Sequence, residues 1–475
     1  MTEPAPAPHP RPSGPAVLRL AASSPAQLAD RLRDVARGGP RPADPADADL
    51  PCRVALLTPT ADRLALAQEL VLRERSWDGP ADLWYTADPV LRPGRPGQVA
   101  FLFPGLSAHD RPPLDDVAGA FDLPGYEPDR TGTVGGRTWD LLHTGRLLDG
   151  ALRRLGIRPD LVAGHSAGEW SALFSAGRWA PEAFDDFARG MGPDAYQLPD
   201  VAFAVVGCPV AEARRLIDGV ADVVISHDNS PRQTVLCGTD AAIHTAFARI
   251  ADPAIPRTVL PFRSGFHSPM LAPYLDPVAA VLRAVPLRAA AVPVWSATTV
   301  DRYPDDAPAL GRLLVRHLVS PVRFRELVQR LHDEGTRVFV QVGHGSLAAF
   351  VRDTLHGQRH VVASASKGRP DGLAELARLA AALWVHGLRP DFAALPGADD
   401  PIRRDDTIRR DDTVGPDRTA RPDGAVWPRG GPSASRAGDD PVLAAFQAVL
   451  DEVAHASREV LDGWQRWHRD DRVRP

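Results

Sequence analysis

The sequence predicts an α/β protein built on a parallel sheet covered by helices, interrupted by a smaller βαββαβ unit and preceded by a small α/β unit. Two patterns carry this. From residue 98 onward, short apolar runs alternate with longer helical stretches, as in a parallel sheet buried on both faces. Between residues 201 and 262 the order changes to VAFAVVG, PVAEARRLIDGV, DVVISHD, RQTVLCG, DAAIHTAFARIA and IPRTVLPF. That order is how a ferredoxin-like subdomain inserted in a larger domain reads.

Residues 1–15 read as a mobile tail, rich in Pro and Ala but without the apolar core of a secretory signal. A small α/β domain then spans 16–97, opening on VLRLAASSPAQLADRLRDVA, where an apolar run meets a helical period. It continues through the buried-strand candidate CRVALLTPT at 52–60 and the helix at 61–75, ending at the PGRPG punctuation of 93–97. The main domain covers 98–390, with its large part at 98–200 and 263–390 and its inserted part at 201–262. Its strand candidates outside the insert are VAFLF (99–103), DLVAG (160–164), VPVWS (292–296) and RVFVQV (337–342).

Past residue 390 the composition turns to Pro, Asp, Arg and Gly, with a tandem IRRDDT at 402–413, so 391–439 reads as a disordered linker. A last helix is expected at 440–469, with Asp440 as N-cap and Pro441 at the first helical position. Val442, Phe446, Val449, Val453, Ala456 and Val460 fall on one stripe of it, a face for its own domain or for a partner.

Composition narrows the function classes. A net charge of -5 with scattered basic residues gives no reason to expect nucleic acid or an anionic membrane, and no 18-residue apolar run occurs. Three widely spaced cysteines without a C-x-x-C pair argue against a disulfide frame or a zinc site and point to a reducing, cytoplasmic compartment. No metal is expected.

The strongest local signal is Gly164-His165-Ser166-Ala167-Gly168-Glu169, placed after the apolar strand DLVAG and before the helix-compatible EWSALFSAG. A serine on such a strand-to-helix turn projects its hydroxyl, needs small neighbours, and meets backbone N–H groups where an oxyanion develops. By itself the pattern fits either this nucleophile elbow or an ordinary glycine-rich turn.

GHSAGE, FLFPG, SGFHSPM and LVRHLVSPVRF all occur in this chain, and with them it resembles malonyl-CoA:acyl-carrier-protein transacylases and the acyltransferase domains of polyketide synthases. Within that group GHSAGEW, SHDNSPRQTVLCG and LPFRSGFHSPML are most similar to iterative synthases of the polyunsaturated-fatty-acid or enediyne style. The resemblance covers about 98–390 and implies a hydrolase-like large part. It also makes the small unit before it the counterpart of the linker domain between ketosynthase and acyltransferase.

On that resemblance Ser166 is the acyl-carrying nucleophile and His267 its general base and acid. The backbone N–H groups of Leu106 and Ala167 form the oxyanion hole, and the main-chain carbonyl of His317 orients His267, so the His317 side chain matters less than its backbone. Phe266 restricts the substrate pocket, while Asn229 and Gln233 brace a loop. The implied reaction moves an acyl group, malonyl first, from a CoA thioester to the phosphopantetheine thiol of an acyl carrier protein, with no bound cofactor. A ketosynthase or other synthase component is a further expected partner, through the linker domain or the last helix.

Two departures stand out. The G-Q-G usual in the family is Gly105-Leu106-Ser107, which loses the glutamine side chain but keeps a backbone donor. The arginine that holds a malonyl carboxylate aligns with Met191 without gaps, or with Arg189 after a two-residue deletion. An editing hydrolase with the same Ser-His pair, an α/β-hydrolase with Asp222, Asp228 or Asp240 as its acid, and a non-catalytic docking component are the competing readings.

Overall fold

The computed structural model describes residues 14–39, 49–106, 114–129, 133–190, 198, 200–276, 279–280, 282 and 286–397. The expected helix at 440–469, the charged segment from 398 to 439, Ser107 and Met191 lie outside these residues.

The chain begins with β1 (Val17–Ala22), α1 (Pro25–Ala36), β2 (Cys52–Leu57), α2 (Ala61–Leu72), β3 (Trp77–Asp78) and β4 (Leu83–Thr86). The strands form an antiparallel sheet in the order β1-β2-β4-β3. Ser24 and Thr60 start the two helices by accepting the N–H groups of Gln27 and Arg63, each at 3.3 Å. Strand alternation sends Leu18, Leu20, Val54 and Leu56 against those helices. Val17, Ala21, Ala55, Leu57 and Trp84 face the other way, into the core of the main domain. Both faces are therefore buried, which explains why CRVALL is apolar at every position but Arg53.

The main domain supplies β5 (Gln98–Phe103), α3 (Asp115–Phe121), α4 (Val134–Arg154), β6 (Leu161–Gly164), α5 (Gly168–Ser175) and α6 (Pro181–Gly190). The insert follows as β7 (Val201–Val206), α7 (Val210–Ile217), β8 (Val223–Ser230), β9 (Gln233–Thr239), α8 (Asp240–Ala248) and β10 (Arg257–Arg263). Then come β11 (Val294–Ser296), β12 (Asp301–Arg302), α9 (Ala307–His317), α10 (Phe324–Asp333), β13 (Thr336–Gln341), α11 (Leu347–Thr354), β14 (Val361–Ser364) and α12 (Gly372–Val385).

The large sheet runs β12-β11-β6-β5-β13-β14 and is parallel except for the edge strand β12. One face, carrying Ala100, Leu102, Ala163 and Phe339, packs on Phe324, Leu327, Val328 and Val351 of α10 and α11. The opposite face, carrying Phe101, Phe103, Val162 and Val340, shares a core with α4, α5 and α12. That core is continuous with the N-terminal sheet. Arg53 of β2, 3% exposed, adds a donated bond to the carbonyl of Trp384 in α12 at 2.8 Å.

The insert is a four-stranded antiparallel sheet in the order β10-β7-β9-β8. One face packs on α7 and α8, and the other, with Phe203, Val205, Val235 and Cys237, joins the main core. Two bonds fasten β8 to the segment before α10: Asp228 N–H donates to the Val322 carbonyl, and Val322 N–H to that of Ser226, both at 2.9 Å.

Two expected boundaries move. Gly14, placed in the tail, donates its N–H to the Pro396 carbonyl at 2.7 Å. Phe392, placed in the linker, is buried in a short 3-10 helix that Asp391 caps, so ordered packing reaches beyond residue 390. Among the described residues no helix is long and apolar enough to cross a membrane.

Candidate active site

The site forms at the carboxyl ends of the central parallel strands, where open α/β sheets place their ligands. β6 ends at Gly164 and α5 begins at Gly168, so His165, Ser166 and Ala167 make the whole turn. The crossing is too tight for side chains at either glycine. A Cβ on Gly164 would sit 2.2 Å from the N of Glu169, and one on Gly168 would sit 2.1 Å from the Phe103 carbonyl oxygen. Ser166 itself has φ +55°, left-handed backbone that costs a non-glycine residue about 1–3 kcal/mol and persists only where the surroundings enforce it.

Ser166 Oγ lies 2.7 Å from His267 Nε2. His267 has φ +59° and is held by its own N–H, which donates to the Leu318 carbonyl at 2.7 Å. Its Nδ1 faces two acceptors, the carbonyl oxygens of His317 at 3.1 Å and Ser320 at 3.2 Å. Carbonyls only accept, so Nδ1 carries the proton and Nε2 turns its lone pair to the serine. The serine hydroxyl therefore donates to His267. Burial, reinforced by His317 and His165, holds the His267 imidazole well below its ordinary pKa, which keeps it a neutral acceptor.

The His317 carbonyl is available because α9 ends at that residue, and the last carbonyls of a helix lack intrahelical partners. The side chain is also placed against the serine turn, which the sequence motif does not reveal. His317 is 1% exposed, with Nε2 3.1 Å from the Ser166 carbonyl oxygen and Nδ1 2.9 Å from Thr298 Oγ1. Behind it stands Glu169, fully buried, which accepts from Ala297 N–H at 2.8 Å, Ser296 Oγ at 3.0 Å and the Tyr303 hydroxyl. Burial and then Glu169 push the Tyr303 phenol well above its ordinary range, so it stays a donor.

Two more histidines complete the surroundings. His165 meets Asn229 Oδ1 at 2.7 Å, and Asn229 Nδ2 donates to Gln233 Oε1 at 2.8 Å. Burial lowers His165 to about 4, so the ring is neutral with its proton on Nε2. His227 stacks on His165 at 5.2 Å and sets its edge to His267 at 4.9 Å between ring centroids. Sequence reasoning singled out neither His227 nor the side-chain roles of Glu169 and Thr298. Glu169 carried a signal, since a carboxylate in an otherwise apolar helix turn must find buried donors.

A small cleft opens onto Ser166 and His267. Leu106 and Ala167, the expected oxyanion pair, line it, as do Phe266, Thr138, Trp170 and Leu318. None of its described lining residues carries a permanent charge. Arg189 falls on α6, whose backbone is described, while its side chain and Met191 lie outside the description. Among the described residues no cluster of His, Cys, Asp or Glu has the arrangement of a metal site.

Ser166, on the turn between β6 and α5, is bonded to the buried His267, and comparison with known proteins places the chain in a family. Residues 148–389 match the family model of the acyl transferase domain. The chain is 32% identical over 210 residues to the malonyl CoA-acyl carrier protein transacylase of Synechocystis sp., covering 42% of this chain and 68% of that one. It is 29% identical over 333 residues to a type I polyketide synthase of phenolphthiocerol synthesis from Mycobacterium marinum, covering 64% of this chain but 16% of that one. Among solved structures, the acyltransferase domain of the iterative polyketide synthase in enediyne biosynthesis superposes with a TM-score of 0.59 at 25% identity, over 79% of this chain and 97% of that one. The chain belongs to the acyl transferase domain family.

Proposed function

We propose that the protein moves an acyl group from a CoA thioester to the phosphopantetheine thiol of an acyl carrier protein, through an ester on Ser166. The single observation that carries this reading is the 2.7 Å contact between Ser166 Oγ and a His267 Nε2 whose lone pair is free to take the proton. As Oγ adds to the thioester carbonyl, its proton passes to His267, and the tetrahedral oxyanion sits against the N–H groups of Leu106 and Ala167. Collapse breaks the C–S bond, and CoA leaves as a thiol with the proton from His267. The carrier thiol then gives its proton to His267, attacks the acyl-serine and regenerates the hydroxyl. No bound cofactor takes part.

The ferredoxin-like strand order of the insert and the N-terminal α/β unit support the same reading. The first sets His227 and Asn229 of β8 against His267 and His165, and the second is a docking surface for a ketosynthase or another synthase component. The relatives that use malonyl-CoA favour malonyl as the acyl group, with Arg189 as the carboxylate clamp. CoA thioesters place the reaction in the cytoplasm.

Brief incubation with a mixture of acyl-CoAs followed by intact-mass measurement tests the proposal. One serine-linked acyl adduct is expected, lost in Ser166→Ala and formed about 10²–10⁴ times more slowly in His267→Ala. No adduct from any acyl-CoA would overturn it. Holo carrier protein added afterwards should carry the acyl group away; release as free acid identifies an editing hydrolase instead. Malonyl loading should fall selectively in Arg189→Ala and not in Met191→Ala.

A further inference from the structure

We propose that the His317 side chain is a positioning residue that clamps the nucleophile turn by donating its Nε2 proton to the Ser166 carbonyl. The proposal deepens the acyl-serine reading and rests on it. His317 Nε2 lies 3.1 Å from that carbonyl oxygen, which can only accept, so the ring proton must stand on Nε2. Nδ1 is fixed from the other side by Thr298 Oγ1 at 2.9 Å, with Glu169 Oε1 at 3.5 Å. The Glu169 side chain is in turn locked by three donors, and its own N–H donates to the same Ser166 carbonyl at 2.9 Å.

The Ser166 peptide is thus gripped from two directions. This matters because Ser166 holds a left-handed φ of +55° that the backbone does not favour, and rotation of that peptide would swing Oγ away from His267. One residue then serves both partners. The His317 carbonyl orients the His267 ring, and the His317 imidazole orients the serine, so their 2.7 Å contact is set from a single point at the end of α9. A His317 that merely filled core space would need no donor at Nε2.

Single-turnover acylation, read by intact mass over a range of acyl-CoA concentrations, separates these cases. In His317→Leu the limiting rate constant should fall about 10²-fold, the usual loss from an outer positioning group, with the half-saturating concentration little changed. In His317→Gln, whose amide places a donor near Nε2 and an acceptor behind it, the rate should return to within about tenfold of wild type. Wild-type loading by His317→Leu, or a His317→Gln no faster than His317→Leu, would overturn the clamp. Nitrogen NMR of the wild-type protein gives a reading independent of activity and of whether His317→Leu folds. A protonated Nε2 resonance that vanishes in His317→Gln is expected, and an unprotonated Nε2 refutes the proposal. Failure of the acyl-transfer reading is seen separately, as wild-type protein that forms no acyl-serine while the nitrogen spectrum still decides the clamp.

Discussion

Asp228 and Arg325 are joined by a two-pronged ion pair, Nε to Oδ1 at 3.0 Å and Nη2 to Oδ2 at 2.8 Å. The aspartate is 4% exposed on β8 of the insert and the arginine stands on α10 of the large part. β8 also carries His227 and Asn229, the groups that abut His267 and His165. The bond with Asp228 holds the Arg325 guanidinium above its ordinary pKa. Asp228→Asn keeps the shape and removes the charge, so it should cost about 1.5–3 kcal/mol, the worth of hydrogen bonds to a charged partner. A lowered thermal midpoint together with slower acyl loading is the expected outcome, and a change in neither would detach this pair from the geometry of the site.

Gly168 and Gly119 should respond in opposite directions to alanine. At Gly168 the new Cβ would meet the carbonyl oxygens of Phe103 and Pro104 at 2.1 and 2.4 Å, so β5 or α5 must move and the elbow with it. Acyl loading should be lost in Gly168→Ala. Gly119 is exposed within α3, and a Cβ added there would meet nothing within 4 Å, so Gly119→Ala should gain up to about 1 kcal/mol from helix propensity alone. Denaturant midpoints of the two variants, measured side by side, check the contrast.

The buried histidines set a pH dependence of stability. His165 is lowered to about 4, and His227 and His267 lie well below their ordinary pKa, in every case chiefly through burial. Unfolded, the same rings take protons as pH falls below about 6.5, while folded they stay neutral. The unfolded state then binds more protons, so stability declines as pH drops from about 6.5 towards 4, by up to about 1.4 kcal/mol per pH unit for each ring. Urea midpoints should fall steeply between about pH 6.5 and pH 5, whereas the rate of acyl loading, for which the proposed mechanism requires neutral His267, should hold through about pH 6.

Much of the fold is legible in the sequence because it is written in local patterns. The parallel strands near 99–103, 160–164 and 337–342 announce themselves as apolar runs, and the elbow as glycines flanking Ser166. β4, LWYT, carries no such signal, because four residues hold too little periodicity to separate a strand from a loop. The support behind the site is hidden for a different reason. Glu169, Ser296, Thr298 and Tyr303 lie up to 134 residues apart, and only the fold brings them to one buried cluster. His317 is legible through its backbone alone, since a motif shows which residue ends a helix but not what its side chain then touches.

Asn229 bridges His165 and Gln233, accepting from the first through Oδ1 and donating to the second through Nδ2. His165 flanks Ser166 and is half-buried, and its partner Asn229 is 4% exposed, so Asn229→Leu sets an apolar side chain against the His165 Nε2 proton, a loss of about 1–3 kcal/mol. Gln233 is only half-buried, and in Gln233→Met water can replace the amide partner of Asn229. That variant should lose under about 1 kcal/mol and keep its acyl loading, while Asn229→Leu loses both stability and loading. Thermal midpoints and loading rates of the two variants check this. Equal losses would mean that the bridge acts from its Gln233 end, through the β8–β9 turn, and that the His165 ring does not depend on Asn229 for its place beside Ser166.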